Sequence, residues 1–226
     1  MFNKFKELFS SENLLDTAFN TTLTMLDFDY KMYEASRNSL RESDNADLPF
    51  DIKKTDRKIN KYEREVRRNV LTHLTIAGTQ NLVPGLVLVS IVIDVERIGD
   101  YTKNIAGLAK IHPARLKGGK HESMLQEIEK SIEENFSKVI ESLKTQDKSV
   151  ARAVLQVEEK IAKASDTIVN DLILGENKDI TTSDAVTVAM YARYLKRIDA
   201  HLTNIASSIV NPFPRIGFRE KKKNKK

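Results

Sequence analysis

The chain has 226 residues, of which 40% are hydrophobic and 31% charged, with 8 glycines and 5 prolines. This composition favours long amphipathic helices over a fold of short strands and turns. The net charge is +5, and residues 211–226 alone hold seven basic side chains and one acidic side chain, which leaves residues 1–210 almost neutral. A neutral body argues against a basic nucleic-acid groove, so we expect no nucleic-acid partner.

The sequence has no cysteine, which excludes disulfide bonds and cysteine catalysis and fits a reducing compartment. The longest apolar run, residues 86–93, is interrupted by Ser90 and is far shorter than the roughly 20 residues that cross a bilayer. The amino terminus lacks the continuous hydrophobic stretch and small residues of a signal peptide. We therefore expect a cytoplasmic protein.

Apolar residues spaced three and four apart predict two helices in the first third of the chain. The first helix is expected over residues 11–42, with Ser10 or Ser11 as its cap, and the second over residues 50–77. Residues 44–49 separate them, because turn-forming residues and a proline disfavour helix there. The charged residues 61–68 are expected to be the solvated face of the second helix, whose inward residues are Ile52, Ile59, Tyr62, Val66, Val70 and Ile76.

A third helix is expected to follow a turn at residues 81–85, which contain Pro84, and to end near Ile111. The run 86–93 is rich in β-branched residues, so a buried strand is the alternative. The helix is favoured because the apolar spacing continues unbroken to Ala109, which is longer than most strands. Residues 112–121, with one proline and two glycines, are predicted to link two halves.

Three more helices are predicted in the second half. They cover residues 122–143, residues 148–174, which include Ile173 as an inward residue, and a last stretch to Asn211 that Thr182 or Ser183 can cap. Gly175 suits the left-handed position after a helix. The predicted fold is all-α, with two tandem three-helix bundles over residues 1–112 and 113–210 and a basic disordered tail over 211–226.

One segment of the sequence returns after one hundred residues: residues 94–106 recur as residues 194–206. In both copies seven positions step by three and four residues and predict a narrow inward stripe along a helix. These are Leu88, Ile91, Val95, Ile98, Thr102, Ile105 and Ala109, and Val188, Tyr191, Leu195, Ile198, Leu202, Ile205 and Ile209. Glu96, Asp100 and Asn104 fall four apart on the other side of the first copy, where the second copy has Lys196 and Ala200.

The segment Glu96-Arg97-Ile98-Gly99-Asp100, followed by Asn104-Ile105-Ala106, resembles the signature of PhoU domains. Its core recurs in the last helix of the second half as Arg197-Ile198 and Asn204-Ile205-Ala206, so the resemblance covers residues 11–210. It implies a regulator of phosphate uptake and phosphate homeostasis, without enzyme activity, that acts as an adaptor on a phosphate transporter or a sensor kinase. A homo-oligomer and a contact of the lysine-rich tail with a membrane surface are further expectations.

The resemblance also implies a metal site, because some PhoU proteins bind iron or zinc clusters on outward-facing Glu/Asp-x-x-x-Asp pairs. Glu96 and Asp100 match one pair, and Asp56 with Asn60 matches another in part. We expect at most one site for a divalent, iron or zinc ion, formed by Glu96 and Asp100 with Asp56. In the second half Lys196 supplies no lone pair to a metal. The alternative is that the acids are surface residues paired with Arg97 or Lys103.

Two other functional classes remain as alternatives. A ferritin-like carboxylate metalloenzyme needs Glu-x-x-His segments on two helices, and none lies at a suitable place in this sequence. A generic helical interaction module is the other. His201 is expected at a helix surface and not as a metal ligand. No Ser/His/Asp arrangement, glycine-rich phosphate loop or His-Glu-x-x-His segment is present, so we expect no enzyme activity.

Overall fold

The computed structural model describes residues 11–79, 81–112, 114–175 and 180–220. Six long helices make up most of this part of the chain, with single 3-10 turns at Gly119–His121 and Phe213–Arg215. The described residues contain no strand, so the helix predicted through residues 86–93 is confirmed. The helices are α1 (Ser11–Arg41), α2 (Ile52–Ala77), α3 (Leu82–Ile111), α4 (Glu122–Thr145), α5 (Lys148–Ile173) and α6 (Thr182–Val210).

Helix α2 begins two residues later than predicted, and two other helix starts also differ from the sequence prediction. Helix α3 begins at Leu82, so Pro84 lies in its first turn, where a missing N–H costs no helical hydrogen bond. The cap of α6 is Thr181, whose side chain accepts a hydrogen bond from the backbone N–H of Asp184 at 3.0 Å. Thr182 and Ser183 already belong to the helix. Ser10, one of the two predicted caps of α1, lies outside the described residues.

Helices α3 and α6 pack against each other in the middle of the molecule, and the other helices of each half pack around them. They run antiparallel, because Asp94 contacts His201 and Tyr101 contacts Arg197. Every position of the two predicted stripes is buried. Ile76 and Ile173, predicted to be inward, are 59% and 76% exposed, since each lies in the last turn of its helix.

Residues 211–220 differ from the predicted disordered tail, because they fold back on α5 and α6. The Gly217 N–H donates to Ser207 Oγ at 2.7 Å, and Arg152 donates two hydrogen bonds of 2.7 Å to Glu220. Residues 221–226, the rest of the predicted tail, lie outside the described part of the chain. Within that part, no helix combines the length and apolar character that crossing a membrane requires.

Candidate functional site

The three predicted metal ligands lie at the boundary between α2 and α3. Asp56 is near the start of α2, and Glu96 and Asp100 are one turn apart on α3. Their side chains are 11%, 16% and 31% exposed, so they sit at the edge of the packed interior and are not fully solvated. Tertiary packing therefore brings together the acids that the sequence singled out.

A lysine side chain bridges two of these acids. Lys103 Nζ lies 3.0 Å from both carboxylate oxygens of Asp56 and 2.7 Å from Asp100 Oδ1. Arg97 is more distant, at 3.8 Å from Glu96 Oε2 and 3.9 Å from Asp100 Oδ2. Although burial alone would lower the pKa of Lys103, its hydrogen bonds to Asp100 and Asp56 raise it. The arrangement matches the alternative in which the acids pair with Arg97 or Lys103.

The second half has a comparable bridge between its outer helix and its motif helix. Lys196 Nζ, on α6, lies 2.7 Å from both carboxylate oxygens of Asp166 on α5. The lysine comes from a different motif position in each half, because Lys196 corresponds to Glu96 and not to Lys103. Both halves thus use an ammonium group to neutralise carboxylates on the neighbouring helix.

A buried carboxyl group that the sequence prediction missed lies next to these acids. Asp29, on α1, is 0% exposed, and neither carboxylate oxygen has a hydrogen-bond partner among the described residues. Burial raises the pKa of Asp29 well above its usual value, and the negative charges of Glu96 and Asp56 raise it further. Gly99 leaves room for this group, since a Cβ there would lie 2.9 Å from Asp29 Oδ1.

In the second half the buried acid lies on the motif helix, α6, and not on α4, which corresponds to α1. Asp199 occupies the motif position of Gly99, and Asn135 Nδ2 on α4 donates a hydrogen bond to Asp199 Oδ1 at 2.8 Å. Asp29 with Gly99 and Asn135 with Asp199 therefore form corresponding pairs. One sequence signal could have revealed that the two halves place their buried acid on different helices. The repeated motif has a glycine at position 99 and an aspartate at the corresponding position 199.

The acids on α2 and α3 offer carboxylate oxygens, which are the ligands that hard cations prefer. Burial, with the charges of Asp100 and Glu63, raises the pKa of Glu96, so added positive charge would be favourable there. In this arrangement Lys103 lies between Asp56 and Asp100, so a metal ion could bind both acids only if the lysine side chain moved away. No group of three or more potential ligands in the described residues is placed to hold one.

The second motif copy contributes to the contact between the two halves. His201 is buried, which corrects the prediction of a surface residue, and its Nδ1 lies 2.7 Å from Asp94 Oδ1. Asn204 Nδ2 donates to the same oxygen at 3.0 Å. Arg197 Nε donates to the hydroxyl of Tyr101 at 3.1 Å. These polar contacts fix the position of α6 against α3.

Comparison with known proteins agrees with the repeat. The family profile described as the PhoU domain matches residues 22–109 and 125–209. PhoU from Pseudomonas aeruginosa superposes with a TM-score of 0.76 at 21% identity, over 88% of this chain and 96% of that one. The phosphate transport system regulatory protein PhoU from Streptococcus pneumoniae gives 0.69 at 18% identity, over 88% and 93%. Comparison with curated protein sequences found no significant match. With both halves matched by the family profile, the chain belongs to the PhoU domain family.

Proposed function

We propose that this protein is a non-enzymatic regulator of phosphate uptake, which acts in the cytoplasm as an adaptor on a phosphate transporter, on a sensor kinase or on both. The family match across residues 22–109 and 125–209 is the observation that carries this proposal. The fold shared with a phosphate transport system regulatory protein supports it. The polar contacts between α3 and α6 also support it. They hold the two similar halves together, and each half keeps an outer surface on which a partner can bind.

Deletion of the gene should change the rate at which cells take up labelled phosphate, and the wild-type gene should restore it. A tagged copy should also co-purify with a component of a phosphate transporter or with a sensor kinase. The uptake of an unrelated nutrient serves as the control and should not change. Unaltered phosphate uptake together with the absence of such a partner would contradict the proposal.

Metal binding at Glu96, Asp100 and Asp56 remains a prediction that requires Lys103 to withdraw from Asp56 and Asp100. Elemental analysis of the purified protein should then find a divalent, iron or zinc ion, and the Glu96→Ala/Asp100→Ala variant should lack it. Removal of two exposed acids of α4, in Glu127→Ala/Glu134→Ala, is the matched control and should leave the metal content unchanged. Lys103→Met should increase the metal content, because it removes a competing cation. An equally low metal content in the wild type and in all three variants would contradict the prediction.

Two further partners belong to the proposal. One is a second copy of the chain, which light scattering of the purified protein would detect as twice the mass. The other is a membrane surface contacted through residues 221–226, which hold five lysines and one asparagine and would be attracted to anionic lipid headgroups.

A further inference from the structure

The outer face of α2 carries an uninterrupted row of positive charge. The helix has eight basic and three acidic residues, and all eight basic residues are exposed. Five of them follow one another at intervals of four, four, three and four residues, which places them within an arc of about 80° and over a length of about 22 Å. The arc is opposite the buried residues Ile59 and Val66. We call these five residues the basic stripe: Lys53, Arg57, Lys61, Arg64 and Arg68.

The charges of the basic stripe have no ionic partner among the residues that the structure describes. Helix α5, the corresponding helix of the second half, differs in this respect. It has four basic and four acidic residues, and three of its cations form ion pairs: Arg152 with Glu220, Lys160 with Glu127, and Lys163 with Glu159.

Exposed apolar side chains continue from the end of the basic stripe. Leu71 follows Arg68 by three residues, lies in the same arc and is 68% exposed. Ile76, Leu82 and Val83, around the turn between α2 and α3, are 59%, 40% and 57% exposed. We call these four residues the apolar tip. Such side chains are rarely left in water as a group unless they contact another surface.

We propose that the basic stripe and the apolar tip together form a docking surface for an anionic phospholipid membrane. Lysine and arginine side chains are attracted to lipid phosphates, and each cation near an anionic surface strengthens binding about five-fold. Apolar side chains beside them can enter the boundary between headgroups and acyl chains. A row of cations along one exposed helix face suits an extended charged plane, and the apolar tip favours a bilayer over an acidic protein surface.

The test is flotation of the full-length protein with vesicles of phosphatidylcholine alone or with one third phosphatidylglycerol. We expect binding only to the anionic vesicles, and weaker binding at high salt because salt screens exposed charges. Replacement of the five stripe residues by glutamine should reduce binding at least ten-fold. The matched control replaces five exposed lysines outside α2 by glutamine and has the same net charge: Lys110, Lys117, Lys130, Lys144 and Lys148. It should bind almost as well as the wild type.

A second variant tests the apolar tip without altering charge. Leu71→Ser/Val83→Ser changes exposed positions only and should reduce vesicle binding several-fold while circular dichroism stays unchanged. Equal binding by the stripe variant and its control would overturn the proposal, and so would failure of the wild type to bind anionic vesicles. Stripe-dependent binding to polyglutamate but not to vesicles would also overturn it, and would indicate an acidic protein partner. Phosphate uptake does not enter this test, so its outcome is independent of the proposed regulatory function.

Discussion

Replacing Arg41 by methionine should lower the free energy of unfolding by about 3–5 kcal/mol, the usual cost of leaving one partner of a buried ion pair alone. Arg41 ends α1, and its side chain is 6% exposed. It crosses to the second half, where Nε lies 2.8 Å from Glu129 Oε1. Its other nitrogens donate to Glu122 and to the backbone oxygen of Leu116. Without Arg41, the carboxylate of Glu129 would keep one hydrogen bond within the described part of the chain, from the hydroxyl of Tyr191 at 2.8 Å.

Urea unfolding of wild type and variant measures this loss. Lys31→Met is the control on the same helix, because Lys31 is 57% exposed and pairs with exposed Asp27, a kind of contact worth less than about 1 kcal/mol. Adding Glu129→Gln to Arg41→Met should restore part of the stability, since it removes the unpaired charge. If Arg41→Met costs no more than Lys31→Met, the pair does not stabilise the contact between the halves.

The loss caused by Arg41→Met should also depend on pH. Burial raises the pKa of Glu129, while the charge of Arg41 lowers it, so removing Arg41 raises this pKa further. A carboxyl whose pKa is higher in the folded state contributes stability at low pH and loses it as pH rises through that value. The difference between variant and wild type should therefore be smaller in acid than at neutral pH.

The fold could be predicted from the sequence because helix periodicity records which side of each helix is buried. All fourteen positions of the two stripes, from Leu88 to Ile209, are buried, and the repeat identified the last helix of each half. The limits of the helices were less accurate. Pro84 indicates a turn, but a proline is also accepted in the first turn of a helix. Ile76 lies in the last turn of its helix, where apolar spacing no longer implies that another helix packs against the residue.

The surroundings of the candidate site could be predicted only in part, because they depend on contacts between distant segments. Spacing on one helix was enough to pair Glu96 with Asp100. The link from Lys103 to Asp56 joins residues 47 positions apart, and that from His201 to Asp94 joins residues 107 apart. No local pattern encodes either one. The burial of Asp29 does have a local signal, since it lies three residues from both Leu26 and Met32 on the inward face of α1, but its contact with Gly99 joins residues 70 positions apart.

Replacing Asp199 by asparagine should stabilise the protein above pH 7, by at most about 4 kcal/mol. Asp199 is 2% exposed, and burial raises its pKa to about 7, although the hydrogen bond from Asn135 opposes this. Each unit between the folded and unfolded values corresponds to about 1.4 kcal/mol. The wild type should therefore lose stability as pH rises from about 4 to about 7, the interval in which only the folded state holds the proton.

The geometry of this pair favours asparagine as the substitute. Asn135 Oδ1 is buried and has no hydrogen-bond partner among the described residues, while Asn135 Nδ2 already donates to Asp199. An asparagine at position 199 can accept that hydrogen bond and donate to Asn135 Oδ1, as the protonated acid can, but at every pH. Urea unfolding at pH 5 and pH 8 should show a gain from Asp199→Asn that is larger at pH 8. Exposed Asp47→Asn is the control and should change stability by less than about 0.5 kcal/mol at both. Asp29 adds a pH dependence of the same sign to the wild type and to the variant. Only the difference between their free energies of unfolding therefore reports on Asp199. If this difference is equal at pH 5 and pH 8, the carboxyl of Asp199 is ionised at both.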